Sequence, residues 1–185
     1  MIESYKHQLP LHMLMNFWYQ MLESVHHIHQ KDVIHSDLKP ENFLMVNGRL
    51  KLIDFGISSN MAVDSTSIIK YSQVGTFNYI SPETLMDTST GNSPMRTKNQ
   101  PKIKISKKSD VWSLGCILYA MIYKKTPFAH IKNVYAKMQA ITDPKTPIEY
   151  AKPPNYYPEM LVEVSSLRVA VASWQLNLTF AFHFR

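Results

Sequence analysis

The sequence predicts a mainly α-helical domain that contains one short β-hairpin. Apolar residues recur at helical spacing through Leu11–Gln30, which predicts a long helix with one buried stripe. The run Trp112–Ile122 is apolar on nearly all sides and predicts a central, buried helix. Two short apolar runs, Phe43–Val46 and Leu50–Ile53, flank Asn47-Gly48. Both turn residues tolerate a positive φ, so we expect a hairpin with a two-residue turn.

The other predicted elements are shorter. Pro82-Glu83 predicts the start of a short helix, because proline suits the first helical turn. Ser109 or Asp110 is expected to cap the central helix. The polar stretch Asp87–Lys108 has no apolar periodicity and predicts a mobile insertion. Further predicted elements are a strand at Val33-Ile34 and helices at Val134–Ile141 and Glu159–Val164.

Composition restricts the class of protein. A chain of 185 residues with 45% hydrophobic residues can form one domain with a sizeable core. The net charge is +6, and five lysines lie between Lys98 and Lys108. We interpret these lysines as a solvated loop, so a nucleic-acid partner is the weakest of the hypotheses. The single Cys116 excludes an internal disulfide and favours an intracellular setting. We find no targeting segment and no apolar run of membrane-spanning length, so no membrane partner is expected.

The chemistry is concentrated between His35 and Gly56. The sequence His35-Ser-Asp-Leu-Lys-Pro-Glu-Asn42 precedes the hairpin, and Asp54-Phe-Gly56 follows it. In phosphoryl transfer, Asp37 can orient a hydroxyl nucleophile and Lys39 can place a cation on the transferred phosphate. Asn42 and Asp54 offer the hard oxygen ligands that Mg²⁺ prefers. The hairpin is expected to bring Asn42 and Asp54 together.

This set of motifs resembles protein kinases. Pro82-Glu83 and the later segment Asp110-Val-Trp-Ser-Leu-Gly115 extend the similarity, which covers residues 1–164. Within the kinases, the chain resembles the monopolar-spindle checkpoint family, which has dual specificity and acts at kinetochores in mitosis. Ser36 supports this assignment, since most kinases carry arginine at that position. Serine cannot pair with a phosphorylated loop, so we expect another cation, such as Lys70, to do so.

The resemblance implies ATP and Mg²⁺ as cofactors and protein Ser/Thr residues, with Tyr as a further possibility, as acceptors. It assigns the catalytic base to Asp37, phosphate contact to Lys39 and the metal to Asn42 and Asp54. It also implies that Asp110 anchors the catalytic loop, residues His35–Asn42, and that His35 and Phe55 stack in the core. Kinetochore proteins as partners and a nuclear location follow from the resemblance alone. The remaining implied roles are a floor under adenine at Leu44, the back of the nucleotide pocket at Ile53, substrate positioning by Thr76, and phosphorylation at Ser65, Thr66, Ser67 or Thr76.

The sequence also departs from the kinase pattern. Its five glycines form no glycine-rich phosphate loop, and no Val-Ala-x-Lys motif precedes His35. We therefore expect a partial kinase domain, the large C-terminal lobe, at residues 1–164, with the N-terminal lobe absent. Residues 165–185 alternate in strand fashion and are expected to lie outside this fold. The first hypothesis is a protein kinase whose 185-residue chain is inactive alone. The alternative is a catalytically dead docking or regulatory fragment.

Overall fold

The computed structural model describes residues 8–54, 76–86, 106–152 and 157–158. In these segments the chain forms a mainly helical fold with one two-stranded antiparallel sheet, as predicted. The elements in chain order are α1 (Leu11–Gln30), β1 (Phe43–Val46), β2 (Arg49–Leu52), α2 (Pro82–Leu85), α3 (Lys107–Tyr123) and α4 (Val134–Thr142).

The core forms where α1 packs against α3. Leu14, Met21 and Val25 of α1 are fully buried, and they share one helical face because their spacing follows the 3.6-residue repeat. On α3, twelve of the 17 residues are buried, which confirms its prediction as the central helix. Cys116 lies inside this helix, and burial raises the pKa of its thiol, so it acts as a small core residue.

The hairpin has the predicted two-residue turn. Asn47 and Gly48 have φ values of 50° and 77°, and Val46 pairs directly with Arg49. This closing pair makes β2 start at Arg49, one residue earlier than predicted. Leu50 falls at a position where its backbone N–H points away from β1. That N–H donates instead to the side-chain oxygen of Gln20 on α1, at 2.7 Å, and this bond ties the hairpin to the core.

The end of α1 explains why one predicted element is wrong. Asp32 has a φ of 56°, and its N–H donates to the His29 carbonyl at 3.2 Å. The Val33 N–H donates to the Ile28 carbonyl at 3.0 Å. These two bonds are a Schellman motif, which satisfies the last carbonyls of a helix. Because the Val33 N–H closes the helix, Val33 and Ile34 form no strand.

The start of α3 also differs from the prediction. The helix begins at Lys107 with Ser106 as its N-cap, so Ser109 and Asp110 do not cap it. Ser109 instead occupies the third helical position, where its hydroxyl accepts from the Ser106 N–H at 3.3 Å. Lys107 pairs with Asp32 at 2.7 Å, joining the start of α3 to the end of α1. Asp110, in the first turn of α3, is fully buried.

Two other helix predictions agree with the structure. Pro82 occupies the first turn of α2, and α4 covers Val134–Thr142, where Asn133 caps it by accepting from the Ala136 N–H at 3.0 Å. Among the described helices, none combines the length and apolar character that crossing a bilayer requires. The greater part of the predicted insertion at 87–108, the helix at 159–164 and the tail at 165–185 lie outside the described residues.

Replacing Gln20 by leucine removes the acceptor of the Leu50 N–H while preserving side-chain size. We expect Gln20→Leu to lower the free energy of unfolding by about 1 kcal/mol, and Gln20→Glu, which retains an acceptor oxygen, to lower it less. Urea denaturation measures the stability, and hydrogen exchange reports the Leu50 amide directly. Gln139→Leu, at an exposed position of α4, is the matched control. Unchanged exchange at Leu50 in Gln20→Leu would contradict this role.

Candidate active site

Asp110 on α3 holds the loop that carries Asp37 through hydrogen bonds to its backbone. One carboxylate oxygen of Asp110 accepts from the His35 N–H at 2.9 Å, and the other accepts from the Ser36 N–H at 2.8 Å. The same carboxylate lies 2.7 Å from Nε2 of His29, at the end of α1. Asp110 therefore joins α1, α3 and the catalytic loop at one fully buried point. The sequence predicted its contact with the loop, but not its contact with His29.

The ring of His35 connects the catalytic loop to the segment after the hairpin. Its Nδ1 accepts from the Asp37 N–H at 3.4 Å, and its Nε2 lies 3.1 Å from the Ile53 carbonyl. A carbonyl can only accept, so Nε2 donates in this contact. His35 is fully buried, in agreement with the predicted core position, whereas its predicted partner Phe55 lies outside the described residues.

The open end of the hairpin brings Asn42 and Asp54 to the same place. The Ile53 N–H donates to the Asn42 carbonyl at 2.9 Å, which extends the ladder by one pair beyond the strands. Asp54 follows directly, and its φ of 53° turns the chain sharply at that residue. Its side chain is exposed, while Asn42 is only 3% exposed. Carboxylate and amide oxygens are thus presented at one edge of the site.

The oxygen donors at this edge fit a magnesium ion. The buried Oδ1 atom of Asn42 has no hydrogen-bond partner in the described part of the chain. A buried polar atom without a partner costs free energy, and a cation would satisfy it. Magnesium takes one or two protein oxygens together with phosphate oxygens and water, so Asn42 and Asp54 are a sufficient pair. Among the described residues, no group of three or more His, Cys, Asp or Glu side chains is placed so that it could hold a metal ion.

Asp37 and Lys39 form an ion pair on the surface of the catalytic loop. Lys39 Nζ lies 3.0 Å from Asp37 Oδ2, and the two side chains are 29% and 34% exposed. Partial exposure leaves both groups accessible to reactants, whereas the backbone around them is fixed by His35 and Asp110. A carboxylate and a cation so placed can bind a hydroxyl group and a phosphate next to each other.

A cleft beside Asp37 separates the catalytic loop from the segment Tyr79–Ser81. Ser113 on α3 positions the far wall, because its hydroxyl donates to the Tyr79 carbonyl at 2.8 Å. The Ser109 hydroxyl donates to Glu83 at 3.0 Å. Glu83 has no ion-pair partner within the described residues. Hydroxyl groups therefore dock this segment on the central helix.

The structure places several predicted site residues and leaves others undescribed. Leu44 is 47% exposed on β1 and Ile53 is partly buried, so both can contribute to an apolar binding surface. The backbone of Thr76 begins a 3-10 turn, Thr76–Asn78, before the cleft. For Thr76 the structure describes the backbone but not the side chain. The predicted residues that lie wholly outside the described segments are Phe55, Gly56, Ser65, Thr66, Ser67 and Lys70.

Sequence reasoning missed three contributors to the site: His29, Ser113 and Gln20. His29 follows Ile28 on the predicted buried stripe of α1, and a histidine at such a position is a signal for a buried polar partner. Ser113 sits within the nearly all-apolar run of α3, and its two acceptors, the carbonyls of Tyr79 and Ser109, explain its presence there.

These residues lie on a mainly helical fold, and comparison with known proteins identifies its family. The family model of the protein kinase domain matches residues 1–168, and the chain belongs to the protein kinase family. It is 55% identical to the dual specificity protein kinase TTK of Mus musculus over 137 residues, which are 73% of this chain and 15% of that protein. It is 48% identical to the probable serine/threonine-protein kinase mps1 of Dictyostelium discoideum over 154 residues, 82% of this chain and 14% of that protein.

These relatives are dual-specificity and serine/threonine kinases, as the spindle-checkpoint resemblance implied. A third relative, the Ttk kinase of Danio rerio, is 54% identical over 134 residues, 72% of this chain. The chain spans about 13–15% of the length of these three relatives. The protein kinase family uses ATP with Mg²⁺ and acts on protein substrates.

The anchor at Asp110 can be tested by an isosteric change. Asp110→Asn replaces one acceptor oxygen by a donor, so at least one of the three groups that face it loses its partner. We expect a destabilisation of about 1–3 kcal/mol for each donor left unpaired, measured by urea denaturation. Asp32→Asn is the matched control, because the ion-pair partner of that exposed carboxylate among the described residues is Lys107, and its loss should change stability little. Equal effects of the two substitutions would refute the anchoring role.

Proposed function

We propose that this chain forms the large lobe of a protein serine/threonine kinase of dual specificity, which transfers a phosphoryl group from ATP to a protein hydroxyl. The proposal rests mainly on one observation: the Asp37–Lys39 ion pair lies on a loop whose backbone is bonded both to Asp110 and, through His35, to the Asn42–Asp54 end of the hairpin. A reactive pair and a set of oxygen ligands are therefore held on one rigid frame.

Asp37 acts as the catalytic base in this proposal. Its carboxylate accepts a hydrogen bond from the hydroxyl group of the substrate and directs the oxygen toward the γ-phosphorus of ATP. The new oxygen–phosphorus bond forms as the bond between the γ-phosphorus and the bridging oxygen breaks, and ADP leaves with that electron pair. The hydroxyl proton passes to Asp37. Lys39 binds the transferred phosphoryl group and keeps its charge next to the carboxylate.

Asn42 and Asp54 hold the magnesium ion, and Leu44 and Ile53 contact adenine. The support for the metal ligands is the unpartnered Oδ1 of Asn42 and the exposed carboxylate of Asp54 at the same hairpin end. When bound, magnesium neutralises phosphate charge and orients the nucleotide. Leu44 offers an exposed apolar side chain on β1, next to these ligands in the chain, which suits the flat face of a base.

We propose further that the kinase domain covers residues 1–164 and that 165–185 lie outside it; the family match ends nearby, at residue 168. Thr76 positions the substrate, and Ser65, Thr66, Ser67 and Thr76 are candidate sites of autophosphorylation. The similarity to Mps1 and TTK kinases supports a role in the spindle checkpoint, with kinetochore proteins as partners and a nuclear, kinetochore location.

The catalytic role of Asp37 is tested with the protein expressed from its complete gene, Mg-ATP and a general protein substrate. We expect Asp37→Asn to lower kcat by roughly 10²- to 10⁴-fold, because the base is lost while the loop keeps its shape. Asp143→Asn, an exposed carboxylate in the turn after α4, serves as control and should leave kcat unchanged. Retention of more than half the activity in Asp37→Asn would exclude this role.

The metal role of Asn42 predicts a change in the magnesium requirement. We expect Asn42→Ala to raise the Mg²⁺ concentration for half-maximal activity by roughly tenfold or more, because one of two protein ligands is lost. Asn42→Asp, which keeps an oxygen ligand, should recover most of the affinity. A magnesium titration of activity at constant ATP measures this shift. An unchanged requirement in Asn42→Ala would assign the ion to other ligands.

A second candidate function is a catalytically dead docking or regulatory module. The 185 residues contain no glycine-rich loop and no Val-Ala-x-Lys motif, the parts of a kinase that hold the phosphates of ATP. Under this alternative, the complete gene product binds kinase substrates without phosphorylating them. The assay described for Asp37 separates the two functions. An enzyme forms phosphorylated product and loses this activity in Asp37→Asn, whereas a docking module forms no product with either protein.

A further inference from the structure

Gln20, in the middle of α1, connects that helix to the outer edge of the hairpin. Its side-chain Oε1 accepts from the Leu50 N–H at 2.7 Å, and its Nε2 donates to the side-chain oxygen of Asn16, one helical turn earlier, at 3.2 Å. The bond to Asn16 fixes which end of the amide faces β2, because the oxygen can only accept and the nitrogen can only donate. Gln20 therefore presents an oriented acceptor to β2.

The position of the hairpin depends on the elements against which it packs. A two-stranded hairpin is at best marginally stable by itself in water. Phe43 and Leu50 of the hairpin belong to the same hydrophobic cluster as Phe17 and Met21 of α1. Apolar contacts of this kind have no preferred direction, whereas a hydrogen bond has a preferred distance and angle. The bond from the Leu50 N–H to Gln20 therefore sets where the hairpin lies along α1.

Two polar contacts at different points of the hairpin fix its orientation. At the open end, His35 Nε2 of the catalytic loop lies 3.1 Å from the Ile53 carbonyl. Nearer the turn, Gln20 holds the Leu50 N–H. A hairpin held at one of these points can pivot about it, but a hairpin held at both cannot. Because α1 also contacts the buried anchor of the catalytic loop, the helix sets the hairpin and that loop relative to each other.

A pivot of the hairpin would separate groups that act on the same nucleotide in the proposed site. Leu44 on β1 contacts the base, whereas Asn42 and Asp54 at the open end hold the metal ion next to the phosphates. Asp37 and Lys39 lie instead on the loop that is bonded to α3. Loss of the contact with α1 is therefore expected to weaken nucleotide binding and to leave the phosphoryl-transfer step largely intact.

We propose that Gln20 is a positioning residue for the nucleotide. Through the backbone of Leu50 it aligns the hairpin so that the apolar surface of Leu44 and the oxygen ligands of Asn42 and Asp54 fit one molecule of Mg-ATP. The inference rests on the proposed kinase function and adds to it a residue that governs nucleotide affinity from outside the pocket.

The test measures nucleotide affinity separately from turnover, on the protein from its complete gene. Isothermal titration calorimetry with Mg²⁺ and the non-hydrolysable β,γ-imido-ATP gives Kd, and phosphorylation of a peptide gives kcat and the KM for ATP. We expect Gln20→Leu to raise Kd and KM roughly three- to tenfold while kcat stays within about twofold. Gln20→Glu, which keeps an acceptor oxygen, should bind within about twofold of wild type. Gln20→Asn, whose side chain is one carbon shorter, should resemble Gln20→Leu.

Ile141→Val is the control for a general loss of stability. Ile141 is buried on α4, which packs against α2, and removal of one methyl group there destabilises the fold about as much as loss of one hydrogen bond. All proteins are compared at a temperature at which circular dichroism shows them folded. The Kd of Ile141→Val should equal that of wild type, and a rise as large as in Gln20→Leu would overturn positioning in favour of general destabilisation.

The outcomes separate this inference from the proposed function. Peptide phosphorylation with an unchanged Kd in the leucine and asparagine variants of Gln20, or with a fall in kcat as large as the rise in Kd, overturns the positioning role while the kinase function stands. Nucleotide binding that depends on Gln20 without any phosphorylation supports the positioning role and refutes catalysis. Absence of nucleotide binding in wild type refutes both. If Gln20→Leu does not fold, Gln20→Asn decides by the same criteria.

Discussion

The geometry of the active site depends on the carboxylate of Asp110. Both of its oxygens are used by backbone N–H groups of the catalytic loop, and it also contacts His29 at the end of α1. A loop cannot form a helical or sheet ladder of its own, so its buried donors need partners from elsewhere. A charged acceptor that is fully buried supplies strong hydrogen bonds and fixes the loop against the central helix. The partly exposed Asp37 and Lys39 then project from a backbone that Asp110 holds in place.

This arrangement also explains the conformation of Ser36. Its φ of 66° is unfavourable for a residue with a Cβ, at a cost of about 1 kcal/mol or more. The bond from its N–H to Asp110 offsets that cost and keeps the turn in place. Every residue except proline has this N–H, so the contact itself does not require serine. The backbone N–H of residue 36 is thus the donor that this contact requires.

The sequence predicted those parts of the fold that local patterns determine. The stripe of apolar residues set α1 at Leu11–Gln30, and Asn47-Gly48 set the hairpin turn. The errors also have local causes: Val33 closes a helix instead of starting a strand, and Ser106 caps α3. Motif spacing was enough to choose four candidate site residues, because their types and separations suit phosphoryl transfer. These are Asp37, Lys39, Asn42 and Asp54. Contacts between distant residues, such as His29 with Asp110, could not be derived, since they depend on how α1 and α3 pack.

The two sides of the cleft are held by different kinds of interaction, and this difference bears on function. The catalytic loop is fixed by the buried carboxylate of Asp110 and by the buried ring of His35. The opposite wall is docked on α3 by hydroxyl groups: Ser113 donates to the Tyr79 carbonyl, and Ser109 donates to the carboxylate of Glu83. Lys137 adds a single charged donor to that wall, through Asn78. Among the described residues this contact joins the wall to α4 and involves no group of the catalytic loop, so the two sides of the cleft are held by separate contacts.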